Sequence, residues 1–221
     1  DLYPDLSPRL DAQKRDRHDR VVAKLSGFLK KPEETFLKYP RSNTTIAANY
    51  ARAIASYREG NLAKAIIALD HLITLEKENP YFWELKGQIL LEKKEKELAR
   101  RAYEKAYSFS KDVIILQQLA KVGLSLNTQK SNKDALAYLE KAIQMTPDSS
   151  TTWKQLAIAQ GRNGKIALAK LSLAEEALLR KDFARALKNA LFVKKNLIQD
   201  LFAHQRALDI INYVEQVLDR K

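Results

Sequence analysis

A chain of 221 residues has room for one or two globular domains or one elongated array of repeats, and 45% hydrophobic residues with only 6 Gly and 6 Pro exclude a turn-rich all-β fold in favour of helices with short connections. The absence of Cys excludes a disulfide framework, a thiolate metal site and a Cys nucleophile, and it fits a reducing or an oxidising compartment equally well. The net charge of +12 arises from 39 Lys plus Arg against 27 Asp plus Glu, mixed along helical stretches with no aromatic platform beside them, which reads as solvated helix faces rather than a nucleic-acid site.

The chain opens with DLYPDLSPRL, with neither an initiator Met nor a signal peptide, and is expected to be part of a longer protein. Residues 1–45 carry three prolines before residue 40, a basic helical stretch LDAQKRDRHDRVVAKLSGFL and a short helix EETFLKY, and they are expected to form a linker with capping helices. Asp11, Asp16 and Asp19 interrupt the Lys and Arg of residues 9–31, which argues against nucleic-acid binding there. No apolar run approaches the roughly 18 residues of a membrane span.

From residue 46 a pattern repeats. In NPYFWELKGQILLEKKEKELARRAYEKAY the ladder is Trp83, Gly87, Ala99, Tyr103 and Ala106, and one period earlier Ala53, Ala65, Leu69 and Leu72 take the places of the last four. Ala135, Leu139 and Ala142 match one period later, with two extra residues assigned to the loop LNTQKSNK, and Trp153, Ala157, Ala169 and Leu173 follow. Helix pairs joined by tight turns at Gly60-Asn61 or Asn163-Gly164 must approach closely, so small residues stand where the partner helix packs a large one. Asn79-Pro80 and Asp148-Ser149-Ser150 read as helix starts. A period near 34 resembles the tetratricopeptide repeat. The expected fold is all-α, a right-handed α-solenoid of helix-turn-helix repeats over 46–197 with terminal capping helices. Its units are 46–79, 80–113, 114–149, 150–181 and a half-unit to 197, a helix near 165–179 being shared by the last two. Residues 198–221 read as a capping helix with Leu208, Ile211, Val214 and Leu218 on one face, and Lys181 stands where such turns commonly have Gly.

No catalytic or metal site is assigned: His18, His71 and His204 lie at no ligand spacing, and no phosphate loop or nucleophile motif occurs. A protein-binding groove is expected along the first helices of the units. Its candidates are Tyr50, Ile54, Tyr57, Arg58, Tyr81, Glu84, Gln88 and Leu91, then Gln118, Val122, Ser125, Lys154, Ile158 and Arg162, with amides to meet a partner's backbone and Arg its carboxylates. Tyr50 and Ile54 stand where the clamp for chaperone tails needs Lys and Asn, so that ligand class is not expected. Trp83 and Trp153 read as packing residues.

Phrases outside the repeat consensus carry a more particular likeness: RHDRVVAKLSGFL with the following KYP, NYARAIASYREGNLAKA, NPYFWELKGQIL, and TTWKQLAIAQGRNG with LSLAEEALLRKDFARA and RALDI. Together they resemble the C-terminal tetratricopeptide region of a BepA-like periplasmic zinc metallopeptidase, in the Ste24/HtpX-like group of alphaproteobacterial type. The resemblance implies an upstream catalytic domain with an HExxH zinc site, so zinc is expected there and no cofactor in this chain. It also implies a periplasmic location and partners among the β-barrel assembly machinery or immature outer-membrane proteins, with quality control of those that fail to mature. A freestanding scaffold of a secretion or envelope complex is the alternative.

Overall fold

In this computed structural model the described residues are 7–219, with side chains described from Lys14 onward, and all regular structure among them is helical. Helices α1 (Ser7–Leu29) and α2 (Pro32–Lys38) precede α3 (Ile46–Arg58) and α4 (Leu62–Leu75), then α5 (Pro80–Glu92) and α6 (Lys96–Ser110). After them come α7 (Val113–Leu126), α8 (Gln129–Met145), α9 (Ser150–Arg162), α10 (Ile166–Leu179), α11 (Phe183–Asn196) and α12 (Leu201–Asp219). The architecture is all-α, of tetratricopeptide-type helix-turn-helix pairs. The chain forms two compact units, the first reaching to Phe109 and the second beginning at Ser110.

Local chemistry sets the helix starts. Asn61, Asn79, Asp112, Ser149 and Asp182 each accept a backbone N–H of the first turn, and Thr128 forms a reciprocal capping box with Ser131. Gly60 (φ 85°) and Gly164 (φ 75°) make left-handed turns, and Lys94 (φ 62°) and Lys181 (φ 59°) hold the same conformation without glycine.

In the first unit, Ala53, Ala65, Leu69 and Leu72 are fully buried, as their equivalents Ala99, Tyr103 and Ala106 are within about 1%. A Cβ on Gly87 would stand 3.0 Å from the Tyr103 ring, so this position admits little beyond hydrogen. Helix α1 belongs to the same packing. Ala23 packs with Ala47 and Ala51, Gly27 lies against Ala51 and Ile54, and Arg58 reaches the carbonyls of Gly27 and Lys30, so α1 and α3 run parallel. Thr35, fully buried, donates to the Ser26 carbonyl at 3.0 Å and turns α2 back along α1.

In the second unit, Gly123 is the closest approach: an added Cβ would meet the Ser131 carbonyl oxygen at 2.9 Å and the Ala135 Cβ at 3.1 Å. Gly123 and Ala135 have the same separation as Gly87 and Ala99, so the two extra residues do not lie in the 126–133 loop. They fall ahead of Gly123, and the connection after Leu126 is only Asn127-Thr128, left-handed at Asn127 (φ 54°), because α8 begins early on its capping box. Helix α10 packs against both α9 and α11, and α12 packs on α11. The buried face of α12 is Ala203, Ala207, Ile210, Ile211 and Val214, while Leu218 is exposed, since the helix outruns the partner that covers its start.

Two buried carboxylates on α10 tie this end together. Arg206 of α12 grips Glu175 through Nε at 2.5 Å and Nη2 at 2.9 Å, and Glu176 meets Arg185 of α11. Removing one member of such a pair strands a buried charge, whereas replacing both by apolar groups does not.

Three results are expected from denaturant unfolding. Ala99→Leu loses about 1–3 kcal/mol while Lys94→Leu, on an exposed turn, loses little. Gly123→Ala destabilises, because backbone faces the new methyl, whereas Gly161→Ala, whose Cβ enters open space inside a helix, gains up to about 1 kcal/mol. Arg206→Met destabilises, and adding Glu175→Met restores much of the loss.

Candidate protein-binding surfaces

The first unit departs from its sequence-predicted groove. Tyr50 (4% exposed) and Ile54 (0%) are core residues, because the small Ala23-to-Gly27 face of α1 closes over α3 and Phe82 of α5 meets Tyr50 edge to face at 5.0 Å. Burial pushes the Tyr50 phenol above its ordinary range, with the charge of Glu84 adding to it. Arg58 stays exposed, its guanidinium donating to the Lys30 carbonyl and, at 3.4 Å, to that of Gly27 at the end of α1.

The surface left is polar and aromatic. Gln88 Nε2 donates to the Tyr57 hydroxyl at 2.8 Å, and that hydroxyl donates to Glu92, a chain from α3 to α5. Partial burial and then the Glu92 hydrogen bond push Tyr57 up to about 12. Tyr81 is half exposed with Lys24 Nζ 4.6 Å from its ring centroid, and Leu91 is half-buried beyond Gln88. Between α1, Tyr50 and the turn from Glu76 to Tyr81 lies an open cleft of about 930 Å³ with Val21 and Leu25 on one wall. Arg20 closes its floor, donating to both Glu76 oxygens at 2.5 and 2.7 Å and pairing with Asp16 at 2.6 Å. Sequence reading missed Arg20 and Lys24; spacing pairs Arg20 only with Asp16, and Glu76 lies far along the chain.

In the second unit, Gln117 rather than Gln118 makes the interhelix contact, its Nε2 donating to Thr152 Oγ1 at 2.8 Å. Gln118 is half-buried beside it. Val122 is fully buried and so is not a groove residue, and Ser125 bonds back to its carbonyl at 2.8 Å. Lys154, Ile158 and Arg162 are exposed on α9, and Arg162 donates to the Leu124 carbonyl at the end of α7. Trp83 and Trp153 are half-buried in equivalent places, each indole N–H donating at 2.7 Å to a carbonyl six residues earlier, Lys77 and Pro147 respectively.

Among the described residues no group of three His, Asp or Glu is placed to hold a metal ion, and no helix is long and apolar enough to cross a membrane.

Glu76 gives a pH signature. The Arg20 hydrogen bonds hold its carboxyl below the usual range, so the stability it contributes is present above the ordinary glutamate pKa and is lost as pH falls through the lower folded-state value. Hydrogen-exchange protection factors across α1, taken against the intrinsic rate at each pH, are therefore expected to fall below about pH 4 in the native chain, and Glu76→Gln is expected to show the lower protection already at neutral pH.

A family model for the tetratricopeptide repeat matches residues 80–112. The chain is similar to anaphase-promoting complex subunit 7 of Dictyostelium discoideum, 26% identical over 172 residues that cover 72% of this chain and only 27% of that protein's length. Among solved structures it is similar to MamA from Desulfovibrio magneticus RS-1, with a TM-score of 0.61 at 18% identity, covering 76% of this chain and 96% of that one. YrrB, a TPR protein with an unusual peptide-binding site, gives a TM-score of 0.59 at 18% identity over 84% of this chain and 98% of its own. The C-terminal part of a TPR repeat-containing protein from Cytophaga hutchinsonii gives 0.60 at 17% identity over 88% and 78%. At these identities the likeness is one of fold.

Proposed function

We propose that this tetratricopeptide scaffold is the partner-docking arm of a periplasmic zinc metallopeptidase, presenting β-barrel assembly components or immature outer-membrane proteins to a catalytic domain upstream. The observation that carries docking is the pair of exposed side-chain rows on first helices, Tyr57 with Gln88 and Glu92 in one unit and Lys154 with Ile158 and Arg162 in the other. They combine aromatic, amide and charged groups, the chemistry that meets a polypeptide. A peptide-binding site on the similarly folded YrrB supports the same ligand class. The link to a peptidase is supported by the phrases outside the repeat consensus, and the zinc of that reading belongs to the upstream domain, with no ligand drawn from this chain.

The alternative is a freestanding scaffold of a secretion or envelope complex, which the same exposed rows on the first helices would serve. The coding sequence upstream of Asp1 separates the two: an HExxH motif there is expected for the docking arm, and its absence leaves the scaffold. A photo-crosslinking residue at Gln88 or Lys154 of the intact protein in cells is expected to capture barrel-assembly components or unfolded outer-membrane proteins. Capture of neither from either position overturns the assignment of partners.

A further inference from the structure

The second unit sorts its charges by helix. From Ser110 onward every carboxylate lies on α8, α10 or α12, in a connecting segment or at a helix cap, and α7, α9 and α11 carry none. Those three helices carry seven cations: Lys121, Lys154, Arg162, Arg185, Lys188, Lys194 and Lys195. In the linear sequence this segregation is hidden, because the caps, turns and intervening helices place Asp and Glu between the cations of α7, α9 and α11.

On α7 and α9 the cations share a built surface. The Gln117–Thr152 bond and the Arg162 bond to the Leu124 carbonyl pin the two helices side by side and parallel. Lys121, four residues after Gln117 and three before Leu124, stands along that seam. Lys154, Ile158 and Arg162 follow at i, i+4 and i+8, a row about 12 Å long. Lys121 and Lys154 make no ion pair among the described residues, and Ile158, 44% exposed, supplies an apolar step between two charges. Gly161 sits in the same stretch. A Cβ there would meet nothing within 4 Å, so no packing within the unit explains a helical glycine that costs up to about 1 kcal/mol relative to Ala.

We infer that the α7–α9 face is a docking surface for an acidic, amphipathic segment of a partner polypeptide, carboxylates meeting Lys121, Lys154 and Arg162, an apolar side chain lying on Ile158, and the partner's main chain passing close over Gly161. Charge complementarity selects the occupant: a cationic face free of carboxylates attracts a polyanion and repels a basic segment. The face favours a polypeptide over nucleic acid because its lone aromatic, Trp153, is half-buried with its N–H committed to Pro147, leaving no stacking platform for bases. This inference rests on the polypeptide-docking reading above and adds the partner's chemistry.

The test is fluorescence anisotropy on the 221-residue chain, with a labelled synthetic peptide carrying Glu and Leu at helical spacing, its Lys-for-Glu counterpart, and oligothymidine. The Glu peptide is expected to bind, more weakly as salt rises, and the combined Lys121→Glu and Lys154→Glu variant is expected to weaken it about tenfold or more, an effect of at least ~1.4 kcal/mol. Gly161→Leu is expected to abolish binding while leaving the thermal midpoint no lower. Binding unchanged in both variants, no binding of the Glu peptide at millimolar concentration, or tighter binding of the Lys peptide or of oligothymidine overturns the inference. If the peptide fails while Gln88 and Lys154 still crosslink partners in cells, the docking function stands and only the acidic chemistry falls; loss of both removes both.

Discussion

Everything in this molecule follows from how closely two antiparallel helices of a pair can approach. Gly123 against the Ser131 carbonyl leaves no room for a methyl group, Gly87 against Tyr103 leaves little, and Ala135 is the small residue that faces Gly123. With the helices drawn together there, each pair buries one apolar stripe and leaves another that only a neighbour can cover. The clusters built on Tyr50, Leu69 and Phe82 in the first unit, and on Leu139 and Leu156 in the second, are those covered stripes.

That constraint explains what the sequence could disclose. A small residue repeated at fixed separation from another, with caps and breaks in step, announces helix pairs, and most of the residues so aligned are buried, Leu173 and the two tryptophans being half-buried. The frame loses precision where a turn departs from glycine. Asn127 takes the left-handed conformation, Thr128 starts α8 early, and the displaced residues then read as an expanded loop although the inserted length lies before Gly123.

The surfaces were less legible than the fold. Ile54 occupies a position that faces a groove in a regular repeat, yet here a helix with its own small face, Ala23 and Gly27, lies over it. Nothing in the periodicity of residues 46–197 shows what α1 does, because α1 is outside the period and its anchors, Glu76 and Arg58, are distant in sequence. The sorting of charge was hidden for a related reason. Read along the chain, cations and carboxylates are interspersed; folded, the second unit confines its helical carboxylates to α8, α10 and α12, and only the helix boundaries reveal it.

Trp83 and Trp153 bear a consequence of another kind. Each unit contains one tryptophan, held by the same indole-to-carbonyl bond to the turn that precedes its helix. Breaking that bond wets the ring, so emission from each indole reports the opening of its own turn. The chain thus contains two separate optical reporters, and replacing either by Phe yields a protein in which the melting of one unit is watched without the other. Whether an array of repeats unfolds all at once or frays from one end is thereby written into its own fluorescence.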